Sequence, residues 1–294
     1  MKFGGTSVAN LERIRHVAGL VAEEAKDGNE VAVVVSAMSG ETNRLVALVD
    51  ALDADTPQQG EILGGAIEDE YDSIVASGEQ VTSGLLAIAL RRRGLKARSW
   101  LGWQIPLKTD MAHSKARIAE IESSAIGPSM ADGNIAVVAG FQGISDDGRI
   151  STLGRGGSDT SAVAIAVALK ADRCDIYTDV DGIYTTDPRI AKDARRLNRI
   201  AFEEMLELAS LGAKVLQTRA VELAMNNNLP IRVLTSMADA GEPNPGTLVC
   251  HEDEPMEERV VSGVAYSRDE AQITLLQLKD ACLLYTSPSP RDRG

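Results

Sequence analysis

Apolar residues along the chain fall into two alternating patterns. Short, continuous β-branched blocks read as buried strands, and longer stretches with apolar residues three and four apart read as amphipathic helices. Residues 11–27 are predicted helical: Leu11, Ile14, Val17, Ala18, Val21 and Ala25 share one face, and Gly28-Asn29 ends the segment. Residues 30–36 (EVAVVVS) and 135–140 (IAVVAG) have the unbroken apolar character of strands covered on both faces. Two helices are predicted over 62–77 and 81–93, parted at Gly78. Asp146-Asp147-Gly148, centred in 144–150, signals a hairpin. An Ala- and Val-rich helix is predicted at 158–169 and a short strand at 173–177. Helices follow at 202–211 and 215–227, the second stopped by Asn228-Leu229-Pro230, and then a strand at 231–235. Strands alternating with helices predict an α/β fold.

The pattern changes near Cys250. Residues 251–259 are rich in carboxylates and carry a proline, as a solvated linker would. Residues 260–281 alternate as one or two strands, and 282–294 (CLLYTSPSPRDRG) keep neither period and read as an unstructured tail.

Composition narrows the options. The 294 residues are 44% hydrophobic but only 3% aromatic, so the core must be aliphatic. A net charge of −13 makes nucleic acid and anionic membrane surfaces poor partners; any bound phosphate must be held by local chemistry. No unbroken apolar run reaches the ~20 residues of a membrane helix, and the N-terminus has no secretion segment. Cys174, Cys250 and Cys282 lack C-x-x-C spacing, which suits a reducing cytoplasm. His16, His113 and His251 are isolated, so no protein metal cluster is expected.

Three glycine-rich or turn-rich loops carry candidate chemistry. In Lys2-Phe3-Gly4-Gly5-Thr6-Ser7 the glycines let backbone N–H groups approach an anion and Lys2 supplies a compact positive charge. It is not a Walker A loop, because the lysine precedes the glycines; the alternative is a plain tight turn. Gly154-Arg155-Gly156-Gly157-Ser158-Asp159 opens the helix at 158–169, the position of an anion site. A dinucleotide fingerprint fits poorly, since Asp159 stands where its third glycine belongs. Simple capping accounts for Ser158 and Asp159 but not for Arg155, a bidentate donor. The third loop, residues 177–189 (YTDVDGIYTTDPR), resembles a calcium loop in its Asp-x-Asp-Gly, but the EF-hand spacing fails. Its aromatic, hydroxyl and carboxylate groups suit a nucleoside, or form a long surface loop. Ser36–Asn43 follows a strand, and Glu79 lies at a helix start.

Five segments in series, K-F-G-G-T-S at 2–7, V-S-A-M-S-G at 35–40, S-G-E-Q at 77–80, G-R-G-G-S-D-T-S-A at 154–162 and Y-T-D-V-D-G-I-Y-T-T-D-P-R at 177–189, resemble the aspartate kinases of the amino-acid kinase family. The resemblance covers nearly all of residues 1–280. It implies a three-layer sandwich with a mostly parallel sheet between helix layers, a catalytic domain over 1–250, an acidic linker at 251–259, and the start of an ACT-like α+β module at 260–281. It implies transfer of the ATP γ-phosphoryl group to the β-carboxylate of L-aspartate with Mg2+, the entry to lysine, threonine, methionine and diaminopimelate synthesis, in a cytoplasmic homo-oligomer.

Roles follow motif by motif from that resemblance. Lys2 and Asp159 would be catalytic. Lys2, Phe3, Gly4, Gly5, Thr178, Asp179, Tyr184, Arg189 and Lys214 would hold the nucleotide. Ser36, Thr42, Glu79, Arg155, Gly156, Gly157 and Ser158 would hold the acceptor, with Glu79 facing its ammonium. Two other readings stand beside this one: a related kinase of another small acid, such as N-acetylglutamate or carbamate, and an inactive nucleotide-binding fragment. Family members usually carry apolar residues ahead of K-F-G-G, so the first strand is expected to be nearly absent. The chain is expected to be truncated at both ends, with 282–294 a non-native tail. An incomplete ACT-like module is expected to abolish feedback by lysine or threonine.

Overall fold

The computed structural model describes residues 1–54, 67–122, 124–211, 215–251 and 263–264. The expected linker, ACT-like module and tail lie almost wholly outside them, as does Lys214.

The chain opens with β1 (Lys2–Phe3), α1 (Leu11–Lys26), β2 (Ala32–Val35), α2 (Glu41–Ala54), α3 (Glu68–Val75) and α4 (Ser77–Arg92). There follow β3 (Ala97–Trp100), β4 (Leu107–Thr109), β5 (Ile118–Ile121), α5 (Ile126–Ala131), β6 (Ile135–Ala139), β7 (Gln142–Ile144) and β8 (Ile150–Thr152). The described part ends with α6 (Gly157–Ala168), β9 (Cys174–Thr178), β10 (Arg199–Ala201), α7 (Phe202–Ser210), α8 (Thr218–Asn226), β11 (Ile231–Thr235) and β12 (Thr247–Cys250).

Eight strands form one sheet in the order β10-β12-β11-β9-β1-β2-β6-β3, parallel throughout except for the β11–β12 pair. The strand side chains alternate between two cores, as a period of two requires. Val34, Ala136, Val138, Ile176 and Val233 join the α6–α8 side, while Val33, Val35, Val137, Tyr177 and Leu234 join the α1 and α4 side. That double burial explains the continuous apolar runs of β2 and β6; in β9 and β11 the run is interrupted by Asp175 and Arg232, which pair with each other. The expected three-layer sandwich is therefore present. A second, four-stranded sheet, β5-β4-β7-β8, includes the hairpin read from Asp146-Asp147-Gly148.

β1 is two residues long yet sits at the centre of the large sheet, paired with β2 on one side and β9 on the other. The chain runs from it to β2 and β6 in one direction and later returns to β9 and β11 in the other. This reversal leaves a crevice beyond the carboxyl ends of the central strands, the usual ligand position in open α/β sheets.

Several expectations need correction. Leu11 is half exposed, because it lies in the first turn of α1, ahead of the Ile14, Val17 and Val21 face that meets the core. The helices at 68–92 part at Ala76, not at Gly78. Gly78 lies inside α4, where a Cβ would come within 2.8 Å of the Ala37 Cβ, so it permits close helix–loop packing and ends nothing. α2 was not expected: Leu45, Leu48 and Leu52 share one face by their spacing, but only Leu45 is buried while Leu48 and Leu52 are exposed. The stretch Glu68–Arg92 is long and apolar enough to cross a membrane by length and composition, but half of its apolar window is buried inside this fold.

Candidate active site

Four segments end at the crevice because four neighbouring parallel strands deliver them there: Gly4-Gly5 after β1, Ser36 onward after β2, Gly140-Phe141 after β6, and Asp179 after β9. The crevice is an open cleft of about 370 Å³. Lys2, Ser36, Thr42, Glu79, Arg155, Gly156, Gly157, Ser158 and Asp159 all line it, so nine residues read as functional from four separate segments converge.

At its floor the Lys2 Nζ lies 2.7 Å from an Asp159 carboxylate oxygen, both side chains nearly buried. Asp159 occupies the first turn of α6, whose amino end faces the cleft and favours anions there. An ammonium held at that turn by Asp159 is poised over the same space into which the helix amino end projects. Arg155 is exposed at the rim and has no ion-pair partner among the described residues.

Glu79, in the first turn of α4, is 3% exposed, and its Oε2 has no hydrogen-bond partner among the described residues. Burial pushes its carboxyl up to about 7, even though the backbone N–H groups of Ala37 and Glu79 itself act to lower it. A buried, half-satisfied carboxylate in a cleft wall costs stability and is suited to a ligand cation.

The loop between β8 and α6 is held tightly. Gly156 has φ +68, and a Cβ there would fall 1.8 Å from the Gln217 side chain, so only glycine fits. From the outside, Arg219 of α8 donates to the carbonyl oxygens of Leu153 and Ala116. β8 belongs to the small sheet, which explains why Ile150-Ser151-Thr152 does not read as a dinucleotide-binding strand.

The nucleotide set is less concentrated. Phe3 is fully buried and stacks on Tyr177 with ring centroids 4.6 Å apart, so its side chain packs the core and presents nothing to a ligand. Gly4 and Gly5 form the turn beside Lys2, and the Gly4 N–H points at the Tyr177 carbonyl oxygen. Thr178 ends β9 next to that turn and Asp179 follows it, with the Thr178 hydroxyl donating to Asp179. Tyr184 and Arg189 do not line the cleft: the Tyr184 hydroxyl donates to Asp181, and Arg189 pairs with Asp187. The structure also adds lining residues that carried no sequence signal: Tyr71, Val75, Ser114, Phe141 and Thr152. Each is an ordinary residue type; Tyr71 and Val75 come from α3 and the other three from separate segments.

The model of the amino acid kinase family matches residues 1–235. The chain is 53% identical to an aspartate kinase of Pseudomonas fluorescens SBW25 over 280 residues, covering 95% of this chain and 65% of that protein. Among solved structures, aspartate kinase from Synechocystis matches with a TM-score of 0.71 at 44% identity, over 85% of this chain and 39% of that one. E. coli aspartokinase III in complex with aspartate and ADP, in the R-state, matches with a TM-score of 0.70 at 32% identity, over 86% of this chain and 64% of that one. The chain thus spans about 65% of the length of the curated relatives it matches.

Proposed function

The chain belongs to the amino acid kinase family, and from that premise we propose that its cleft transfers the γ-phosphoryl group of ATP to the β-carboxylate of L-aspartate, giving 4-phospho-L-aspartate and ADP. The observation that carries this reading is the convergence of Lys2, Asp159, Arg155 and Glu79 on one cleft. Its relatives named as aspartate kinases, and the neighbour solved with aspartate and ADP, support the choice of acceptor.

The chemistry needs little covalent help. The β-carboxylate is already ionised at neutral pH, so no base is required. Its oxygen attacks the γ-phosphorus in line as the bond to the β,γ-bridging oxygen breaks and ADP leaves. The difficulty is that two anions must meet. Lys2, the α6 amino end and the Gly4-Gly5 turn offset that charge where it accumulates, and their fixed placement avoids reorganisation during the step. Arg155 clamps the acceptor α-carboxylate through paired N–H donors. Glu79 takes the acceptor ammonium, with Ser36, Thr42 and Ser158 completing the pocket. Thr178 and Asp179 face the nucleoside.

Among the described residues no three His, Cys, Asp or Glu side chains converge as a metal cage. Mg2+ usually takes one or two carboxylates and completes its shell with phosphate oxygens and water. The cleft therefore fits an ion carried in on the triphosphate, with Asp159 as its protein contact. When bound, such an ion neutralises charge on the β- and γ-phosphate oxygens.

A hydroxylamine trap for acyl phosphate, run with ATP and Mg2+ against L-aspartate, N-acetylglutamate and carbamate, tests the reading. Hydroxamate is expected with L-aspartate and not with N-acetylglutamate, and carbamate is expected to stimulate no ADP release. Turnover of either competitor in place of L-aspartate would assign a different acceptor.

A further inference from the structure

We propose that Asp72, which the mechanism above does not use, is the positioning residue of the acceptor half of the cleft, acting through Ser114 and Thr152 on the loop that carries Arg155. The proposal rests on the reading of Arg155 and Glu79 as acceptor ligands.

Asp72 lies in α3 and is fully buried. Its carboxylate is a hub for two distant segments. The Ser114 N–H donates to both oxygens, at 3.1 and 2.9 Å, and the Ser114 hydroxyl to one of them at 3.3 Å. The Thr152 N–H donates at 2.9 Å and its hydroxyl at 2.6 Å. His113 Nδ1 lies 3.0 Å from the same group. An ionised carboxylate has about four acceptor positions on two oxygens, so this one is saturated by donors.

The two tethered segments are the ones that hold the rim. Thr152 is the last residue of β8 and leads directly into Leu153-Gly154-Arg155. Ser114 has φ +66, an uncommon conformation for a residue with a side chain, and its carbonyl oxygen lies 3.1 Å from where a Gly154 Cβ would be. Ser114 thus forms the seat on which the Arg155 loop rests. On the other side, Tyr71 and Val75 of the same α3 line the cleft, and the chain continues into α4 with Glu79. Asp72 joins these two walls without lining the cleft itself. It therefore sets the separation between the acceptor's carboxylate clamp and its ammonium partner. Asparagine at 72 would replace one acceptor oxygen with an NH2 facing N–H and O–H donors, which breaks part of this tie while keeping the shape.

The test compares wild type with Asp72→Asn and Thr152→Val, using steady-state kinetics and hydrogen-exchange mass spectrometry on the whole chain. Asp72→Asn is expected to raise KM for L-aspartate by about 10- to 100-fold and to change KM for ATP by less than about 2-fold, since a shift of an ångström in one wall acts on one substrate. Amides of residues 151–157 and 113–116 are expected to exchange about 10-fold faster, while those of 174–178 hold their protection. Thr152→Val should act in the same direction with a smaller effect, and the two changes combined should be less than additive. Should Asp72→Asn fail to fold, Thr152→Val alone carries the same two readouts. Unchanged exchange at 151–157, or equal loss of ATP and L-aspartate affinity, would overturn the proposal. If the wild type does not phosphorylate L-aspartate at all, the proposed function falls, and the exchange measurement still decides whether Asp72 holds the Arg155 loop.

Discussion

Lys2→Ala is expected to lower kcat about 1,000-fold, the scale of losing a preorganised charge at the reacting centre. The ammonium lies 2.7 Å from Asp159, so the substitution also leaves a nearly buried carboxylate without its partner and should lower Tm. A fall in Tm alone would therefore say little about catalysis. The double variant Lys2→Ala/Asp159→Ala separates the two effects: it removes the orphaned charge and should recover most of the lost Tm, yet it should remain inactive. Steady-state kinetics and thermal melts on the three proteins check this. Recovery of kcat in the double variant would show that Lys2 served only to neutralise Asp159.

Glu79→Gln is expected to stabilise the free protein at pH 8 while weakening its hold on L-aspartate. The Glu79 carboxyl is raised from 4.5 to about 7 in the folded state. Between those values the folded chain binds more protons than the unfolded one, so the contribution of Glu79 to stability falls as pH rises from about 4.5 through 7. Removing the charge should gain about 2 to 3 kcal/mol at pH 8 and almost nothing at pH 4. Affinity has the opposite dependence. In wild type, KM for L-aspartate should climb as pH drops below about 7 and the carboxylate is neutralised, and uptake of the acceptor near that pH should release a proton. In Glu79→Gln the KM should rise by about 10-fold or more and lose that pH dependence. Urea melts at the two pH values and titration calorimetry in buffers of different ionisation enthalpy read these outcomes. A pH-independent KM in wild type would remove Glu79 from the ammonium site.

What could be read from the sequence follows from physical locality. β2 and β6 were legible because burial on both faces leaves an unbroken apolar signature, and β9 and β11 as short blocks despite Asp175 and Arg232, which pair with each other. The glycine loops were legible because a backbone that approaches an anion, or that passes under Gln217 as Gly156 does, admits no other residue. The segments carrying Lys2, Ser36 and Asp179 were found separately and Phe141 not at all; their meeting depends on the order β9-β1-β2-β6, which no local pattern encodes. Phe3 was assigned to the nucleotide because it stands between Lys2 and Gly4, but in a strand alternate residues face opposite ways, and Phe3 turns to the α1 and α4 core. Tyr184 and Arg189 were assigned with their motif, but they are engaged by Asp181 and Asp187 along the loop itself. Asp72 and its donors were invisible, since Ser114 and Thr152 lie 42 and 80 residues away from it and each looks unremarkable alone. α2 was missed even though Leu45, Leu48 and Leu52 recur at helical spacing, and Leu48 and Leu52 of that face stay exposed in the fold.

In the proposed reaction one cleft brings two mutually repelling substrates together over Lys2. A crystal structure of this chain with L-aspartate, Mg2+ and a non-hydrolysable ATP analogue tests it most directly. The β-carboxylate oxygen is expected in line with the γ-phosphorus at about 3 to 3.5 Å, with Lys2 Nζ on a phosphate oxygen, Arg155 on the α-carboxylate and Glu79 on the ammonium. L-aspartate bound outside this cleft, or Lys2 still committed to Asp159 with no contact to phosphate, would contradict it.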